Sequence, residues 1–300
     1  MTKNILILGG SGNTGEKIAQ LLLKHTNVQI VLGARNEQNL RLTAGKLNEP
    51  NRVTWVSIDV SNMESLIKAF TDIDMIISAA STAKFTRNIA NACVVAKCDY
   101  LDVQYSTEKV SVLKSMRIEI EQAELCFISE AGFHPGLPSA LVRYADSQLD
   151  ELETAIIAGA ISTDWENTSI TDATKTEFIK ELCDYKMLFM ENGHWKTAGM
   201  WTSKDFQTID FGEPAGPKLC VPMFFEELRD LSELIPSLKN TGFYIAGFGW
   251  FADYIVMPFV LLMMKLFPKI MEKPMGNLFA WAWKVSSKPP YYAILKLEAK

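Results

Sequence analysis

No two cysteines of this chain form a CxxC pair: Cys93, Cys98, Cys126, Cys183 and Cys220 stand singly. Structural zinc and dithiol redox chemistry are therefore not expected, and no metal ligand set is read. Reduced thiols suit a cytoplasmic protein. A basic excess is also missing. The net charge of −5 over 300 residues offers no overall field for nucleic acid or an anionic membrane surface. No apolar leader precedes the first motif, so a signal peptide is not expected. Long charge-free apolar runs are absent too. The most apolar segment, 242–271, is interrupted by Asp253, Pro258 and Lys265, whereas a membrane span needs roughly 18 uninterrupted apolar residues. This segment, with its continuation to 284, is expected to be a helix buried in the core or in a homodimer interface. A lipophilic substrate wall or a shallow membrane contact is the lesser alternative. Trp250, Trp281 and Trp283 fit either setting.

What is present is regular. The 48% apolar content is ample for a core, and the length suits two moderate domains, read here as 1–131 and 132–300. In the first, apolar runs at 4–9, 28–33, 52–58, 74–78, 99–103 and 125–129 read as strands. Helical spacing occupies 13–25, 37–47, 62–70, 84–97 and 106–123, with Asn62 a natural N-cap. This alternation predicts an α/β fold with a doubly wound parallel sheet of the dinucleotide-binding (Rossmann) type.

The stretch ILILGGSGNTGEKIA (5–19) supplies that fold's phosphate turn. Two glycine registers are possible: Gly10, Gly12 and Gly15, or Gly9, Gly12 and Gly15. In both, glycines permit a tight turn, close approach of a pyrophosphate and close helix–strand packing. The helix N-terminus adds free N–H groups, and Ser11, Asn13 and Thr14 add side-chain donors. A bare glycine motif is also compatible with an ordinary tight turn, but here the strand before it and the helix after it agree with a nucleotide site.

The second strand ends in VLGARN. Gly33 and Ala34 occupy the place where a carboxylate would bond the ribose of NAD; Arg35 and Asn36 follow. A guanidinium suits the 2′-phosphate, so NADP is expected and NAD less so. Asp59, after the third strand, is read as an adenine contact or a helix cap. Ala79, Ala80 and Ser81 end the fourth strand, where small residues let the nicotinamide half lie close.

With GGSGNTG (9–15), GAR (33–35), ANACVVAKCDYLDV (90–103) and EAGFHPGLPSALV (130–142), the chain resembles the saccharopine dehydrogenase-like oxidoreductases. The third piece carries Cys93 on a helix and Tyr100 and Asp102 on a strand. The chain departs from the family's pattern at Ser81–Thr82–Ala83, where Gly-Pro-aromatic is frequent, and at His134, where Asp is frequent. The resemblance implies an NADP-dependent reductase or dehydrogenase with a small-molecule substrate in an interdomain cleft.

Residues 152–161, 204–211, 241–247 and 290–298 read as strands, and 172–191 and 224–234 as helices, without regular alternation. A mixed sheet in a second α+β domain is expected, serving substrate binding or oligomerisation. The chain stops directly after a strand, and a closing C-terminal element is expected to be missing.

Hydride transfer to or from a C=N, C=O or C=C bond needs a proton donor or acceptor beside the nicotinamide. The candidates are His134, Tyr100 and Asp102, each with an ordinary structural alternative. His25 and His194 read as surface or turn residues. A nucleotide-binding sensor of the same fold, without turnover, is the alternative function.

Overall fold

Ile5, Leu6, Ile7 and Leu8 of β1 (Asn4–Leu8) are all buried, as a strand covered on both faces requires. Alternate side chains serve opposite cores: Leu6 and Leu8 pack with Phe70, Ile76 and Ile89, while Ile5 and Ile7 pack with Ile30, Leu32 and Leu40. The computed structural model describes residues 2–104, 106–168, 170–199 and 203–300. It divides the chain into two units, Met1–Gly132 and Phe133–Lys300.

In the first unit β1 is followed by α1 (Asn13–His25), β2 (Gln29–Ala34), α2 (Glu37–Leu47), β3 (Val53–Ser57), α3 (Met63–Phe70) and β4 (Met75–Ser78). A short 3₁₀ turn (Ala83–Phe85), α4 (Thr86–Ala96), β5 (Asp99–Asp102), α5 (Thr107–Ser115), α6 (Arg117–Gln122) and β6 (Phe127–Ile128) complete it. Among the described residues the strands pair in parallel in the order β3-β2-β1-β4-β5-β6. This is the doubly wound sheet that the alternating pattern predicts, and its order reverses between β1 and β4, where such sheets bind ligands. Side-chain caps mark the helix starts. Asn62 Oδ1 accepts from Ser65 N at 3.1 Å, and Ser106 Oγ accepts from Lys109 N at 3.3 Å. The single helix expected over 106–123 is broken at Met116, whose φ of −102° and ψ of 10° leave the helical region.

The second unit comprises α7 (Leu137–Asp146), β7 (Thr154–Ser162), α8 (Asp172–Cys183), β8 (Leu188–Glu191), β9 (His194–Thr197), β10 (Gln207–Asp210), β11 (Pro217–Met223), α9 (Glu226–Leu234) and β12 (Asn240–Ala246). A π-helical turn (Ala252–Val256), α10 (Met257–Leu266), α11 (Pro268–Ser286) and β13 (Tyr292–Ala299) follow. The sheet order is β10-β11-β12-β7-β13, with β8 joined to β12 and β9 to β8. β12 and β7 run parallel and the other pairs antiparallel, so the sheet is mixed, as expected.

Two expectations are corrected here. The helix read over 172–191 ends at Cys183, and its last residues form β8. The Asn192-Gly193 pair, both at positive φ, turns β8 into β9. The strand read over 241–247 is β12, so the helix read over 242–284 begins only after it. Its remainder is a hairpin, because Phe267 (φ −139°, ψ 58°) ends α10 and Pro268 begins α11. Burial of this segment is one-sided. Val256, Val260 and Met264 pack with Ile179 of α8 and Phe279 and Trp283 of α11, while Phe259, Leu262 and Leu266 are exposed. Among the described residues no helix is long and apolar enough to cross a membrane.

Candidate functional site

Gly9 leaves β1 with φ +80°. A Cβ there would stand 2.7 Å from Ala80 Cβ and 2.9 Å from Ala79 O, so neither conformation nor space admits a side chain. Gly9 N donates to Gly33 O at 2.7 Å, and Gly12 N donates to Gly9 O at 2.8 Å. On Gly15, a Cβ would lie 2.3 Å from Gly9 O, which is how α1 comes to pack directly on the strand end. Gly10 instead presses on Leu32, whose Cβ would be 2.9 Å from an added one. The turn itself is thus built by Gly9, Gly12 and Gly15. Helix α1 starts with Gly12 at the N-cap and no side-chain cap, so the first N–H groups lack a capping oxygen. Ser11 is half-buried, and Asn13 and Thr14 are exposed around them. A narrow backbone cradle with a positive helix end fits a diphosphate.

Arg35 follows β2, exposed, with its carbonyl accepting from Ser57 Oγ at 3.2 Å. Asp59 Oδ1 accepts from Ser61 N at 2.9 Å and Ser61 Oγ at 2.7 Å. These bonds hold its carboxyl below the usual range, and the Arg35 charge adds to the effect. Asn36 Oδ1 accepts from Asn39 N at 3.0 Å and caps α2. The Oδ1 atoms of Asp59 and Asn36, both read as cofactor contacts, are therefore engaged in local turns. Ala79 and Ala80 abut Gly9, and Ser81 is exposed beside them.

At the same sheet edge β4 and β5 gather buried polar groups. Ser78 Oγ and Thr82 Oγ1 are 3.0 Å apart. Asp102 accepts from Ser129 Oγ (3.0 Å), Gln104 N (3.2 Å) and Glu130 N (3.4 Å). Lys109 Nζ lies 3.7 Å from Asp102 Oδ1 and donates to Gln104 Oε1 at 2.8 Å. The Tyr100 hydroxyl is buried beside Ser78 and Asp102. Burial first, and then the Asp102 charge, push it well above the usual phenol range. Tyr100 and Asp102 were read as catalytic candidates; the structure places both in this edge cluster, fully enclosed.

His134 belongs to the second unit. Its ring stacks on Phe225 (centroids 6.2 Å apart) and touches Phe133 and Phe243. Burial lowers its pKa, and its own backbone gives it a hydrogen bond. Nε2 is buried without a partner. The turn after it is held by Glu227 of α9, whose Oε1 and Oε2 accept from Gly136 N at 3.0 and 3.1 Å and whose Oε2 accepts from Ser139 Oγ at 2.6 Å. Burial raises the Glu227 carboxyl. Lys109 and Glu227 were missed in the sequence. Lys109 looks like a solvated helix residue, and Glu227 lies some ninety positions from the turn it holds, so neither carries a local signal.

Residues 5–124 match the family model described as the saccharopine dehydrogenase NADP binding domain. Over these 120 of its 300 residues the chain is similar to that domain. Carboxynorspermidine synthase of Vibrio cholerae is 26% identical to the chain over 263 residues, covering 80% of this chain and 62% of that protein. The saccharopine dehydrogenase (NADP+, L-glutamate-forming) of Saccharomyces cerevisiae is 26% identical over 155 residues, covering 52% of this chain and 32% of its own length. The solved apo structure of the latter enzyme aligns with a TM-score of 0.62 at 18% identity, over 81% of this chain and 54% of that one. That likeness extends the shared fold beyond the NADP-binding domain. The chain spans less than two thirds of the length of these relatives.

Proposed function

We propose that the chain is an NADP(H)-dependent oxidoreductase that passes hydride to or from a C=N, C=O or C=C bond of a small molecule. The observation that carries this reading is the Gly9–Gly15 cradle, closed to any side chain and lying under an uncapped helix end. Arg35 supports it by standing after the strand end where a ribose-binding acid would be.

The nicotinamide, when bound, would give or take the hydride. The backbone amides from Gly12 to Gly15 would hold the diphosphate, with Ser11, Asn13 and Thr14 as side-chain donors. Arg35 would take the 2′-phosphate, with Asn36 and Asp59 beside it. Ala79, Ala80 and Ser81 leave space at the end of β4. Among the proton-transfer candidates, Tyr100 is kept protonated by its raised pKa, and Asp102 is saturated by donors. His134 is kept neutral by burial and has an unpartnered Nε2, so it is the one suited to take the proton that a substrate gives up as its hydride leaves, and to return that proton in the reductive direction. Asp102 and Tyr100 then serve as positioning residues at the sheet edge.

The test is loss of NADPH absorbance with the whole chain against a panel of imines, ketones and enoyl esters. Consumption with one class is expected. Tight NADPH binding with no consumption on any class would contradict the proposal and leave a nucleotide-binding sensor.

A further inference from the structure

The α10–α11 hairpin carries two apolar stripes, and folding uses only one of them. Ala252, Val256, Val260 and Met264, each one helical turn from the next, are buried against α8 and α11. Ile255, Phe259, Leu262 and Leu266 fall at i, i+4, i+7 and i+11, the spacing of a second helix face. Each is between 47% and 55% exposed. Ile270 and Trp250, exposed at 73% and 72%, extend the apolar surface beyond both ends of the stripe, together with Tyr254 and Phe267. An apolar surface of this extent needs an occupant.

The charges around it indicate which. Lys265, Lys269, Lys273, Lys284 and Lys288 are all exposed on or beside the hairpin. Within the hairpin itself only Asp253 and Glu272 stand against them, and both are engaged; Asp164, Glu166 and Asp172 lie beside it. The Asp253 carboxylate turns back to accept from Phe248 N and Gly249 N, each at 3.0 Å. Glu272 pairs with Lys180 at 3.4 Å. Lys273 pairs with the exposed Asp172 at 3.3 Å. Among the described residues no carboxylate pairs with Lys265, Lys269, Lys284 or Lys288. An acidic chain thus carries a locally basic apolar hairpin, which its net charge conceals. A second copy seated face to face on this stripe would bring lysine against lysine. Phosphates of an anionic bilayer would answer them, and Trp250, Tyr254 and Trp281 have the amphipathic rings that sit at headgroup level.

We propose that the α10–α11 hairpin beds its Ile255–Phe259–Leu262–Leu266 face in the surface of an anionic lipid bilayer, lying in the plane without crossing it. Apolar burial supplies the contact and the lysines select the lipid charge.

The experiment is co-sedimentation of the full chain with phosphatidylcholine vesicles, with or without phosphatidylglycerol, at low and high salt. Sedimentation is expected with the anionic vesicles and should weaken at high salt. The exposed double variant Phe259→Glu/Leu262→Glu should lower vesicle affinity by roughly tenfold or more, while its melting temperature and NADPH binding stay unchanged. Lys265→Gln/Lys269→Gln should reduce the preference for phosphatidylglycerol. The proposal is overturned if wild type does not sediment with anionic vesicles, or if the Phe259→Glu/Leu262→Glu variant binds them equally well. It is also overturned if sedimentation velocity shows that the stripe is covered in a homodimer which this variant turns into monomers.

Discussion

Lys109 Nζ stands 3.7 Å from Asp102 Oδ1 with neither side chain exposed to solvent. The pair joins the end of β5 to the first turn of α5 behind the sheet edge. Removing one member leaves a charge buried without its partner, which typically costs about 3–5 kcal/mol. Lys109→Met should therefore destabilise the first unit by about that amount. Lys109→Met combined with Asp102→Asn should recover much of the loss, because no buried negative charge without a counter-ion remains. Chemical denaturation of the two variants checks this. Equal losses in the single and the double variant would mean that Lys109 matters only for packing.

Acid should weaken the second unit through His134. Burial among Phe133, Phe225 and Phe243 sets the folded pKa below the ordinary value of about 6.5. The stability tied to this depressed pKa is present above about pH 6.5 and is lost as pH falls through the folded pKa, because the unfolded chain takes the proton first. Glu227 has the opposite sign: its raised pKa removes stability as pH rises from the ordinary carboxylate value through the folded one. Thermal melts between pH 7.5 and pH 5 should fall less steeply for His134→Phe than for wild type. An unchanged slope would show that His134 does not control the acid limb.

Gly15→Ala tests the cradle. The added Cβ would meet Gly9 O at 2.3 Å, a backbone atom that cannot swing aside. The start of α1 must move off β1, at a cost of about 1–3 kcal/mol. Binding of NADP and NAD should fall together, because both carry the diphosphate that the turn receives. Calorimetry with the two nucleotides checks it, and unchanged affinity for both would remove the turn from the site.

The first unit was largely legible in the sequence because its signals are local. Val/Ile/Leu runs alternate with helical spacing, Asn62 caps where a cap residue stands, and Arg35 follows a strand end without an acid. The second unit was less so. The run from Gly242 carries both a strand reading (241–247) and a helix reading (242–284), which hydropathy alone does not separate; tertiary pairing of β12 with β7 decides for the strand. The Asn192-Gly193 turn is a strong hairpin signal that went unread. β11, with Pro217 and Pro222 inside it, looks like a loop until its pairing with β12 is seen. Tyr100 and Asp102 stand out in the sequence as candidates, but the polar cluster that encloses them does not. It depends on where the α5 backbone returns to the sheet, and Lys109 has nothing in its neighbourhood to mark it as buried.

The central claim is an NADP site whose preference is written in Arg35, and calorimetry of wild type and Arg35→Ala with NADP and NAD tests it most directly. A charge-assisted contact to a phosphate contributes about 1.5–3 kcal/mol, roughly ten- to a hundredfold in affinity. Wild type should prefer NADP, and Arg35→Ala should lose that preference with NAD barely changed. Equal weakening of both nucleotides, or NADP bound as tightly by the variant, would contradict the account.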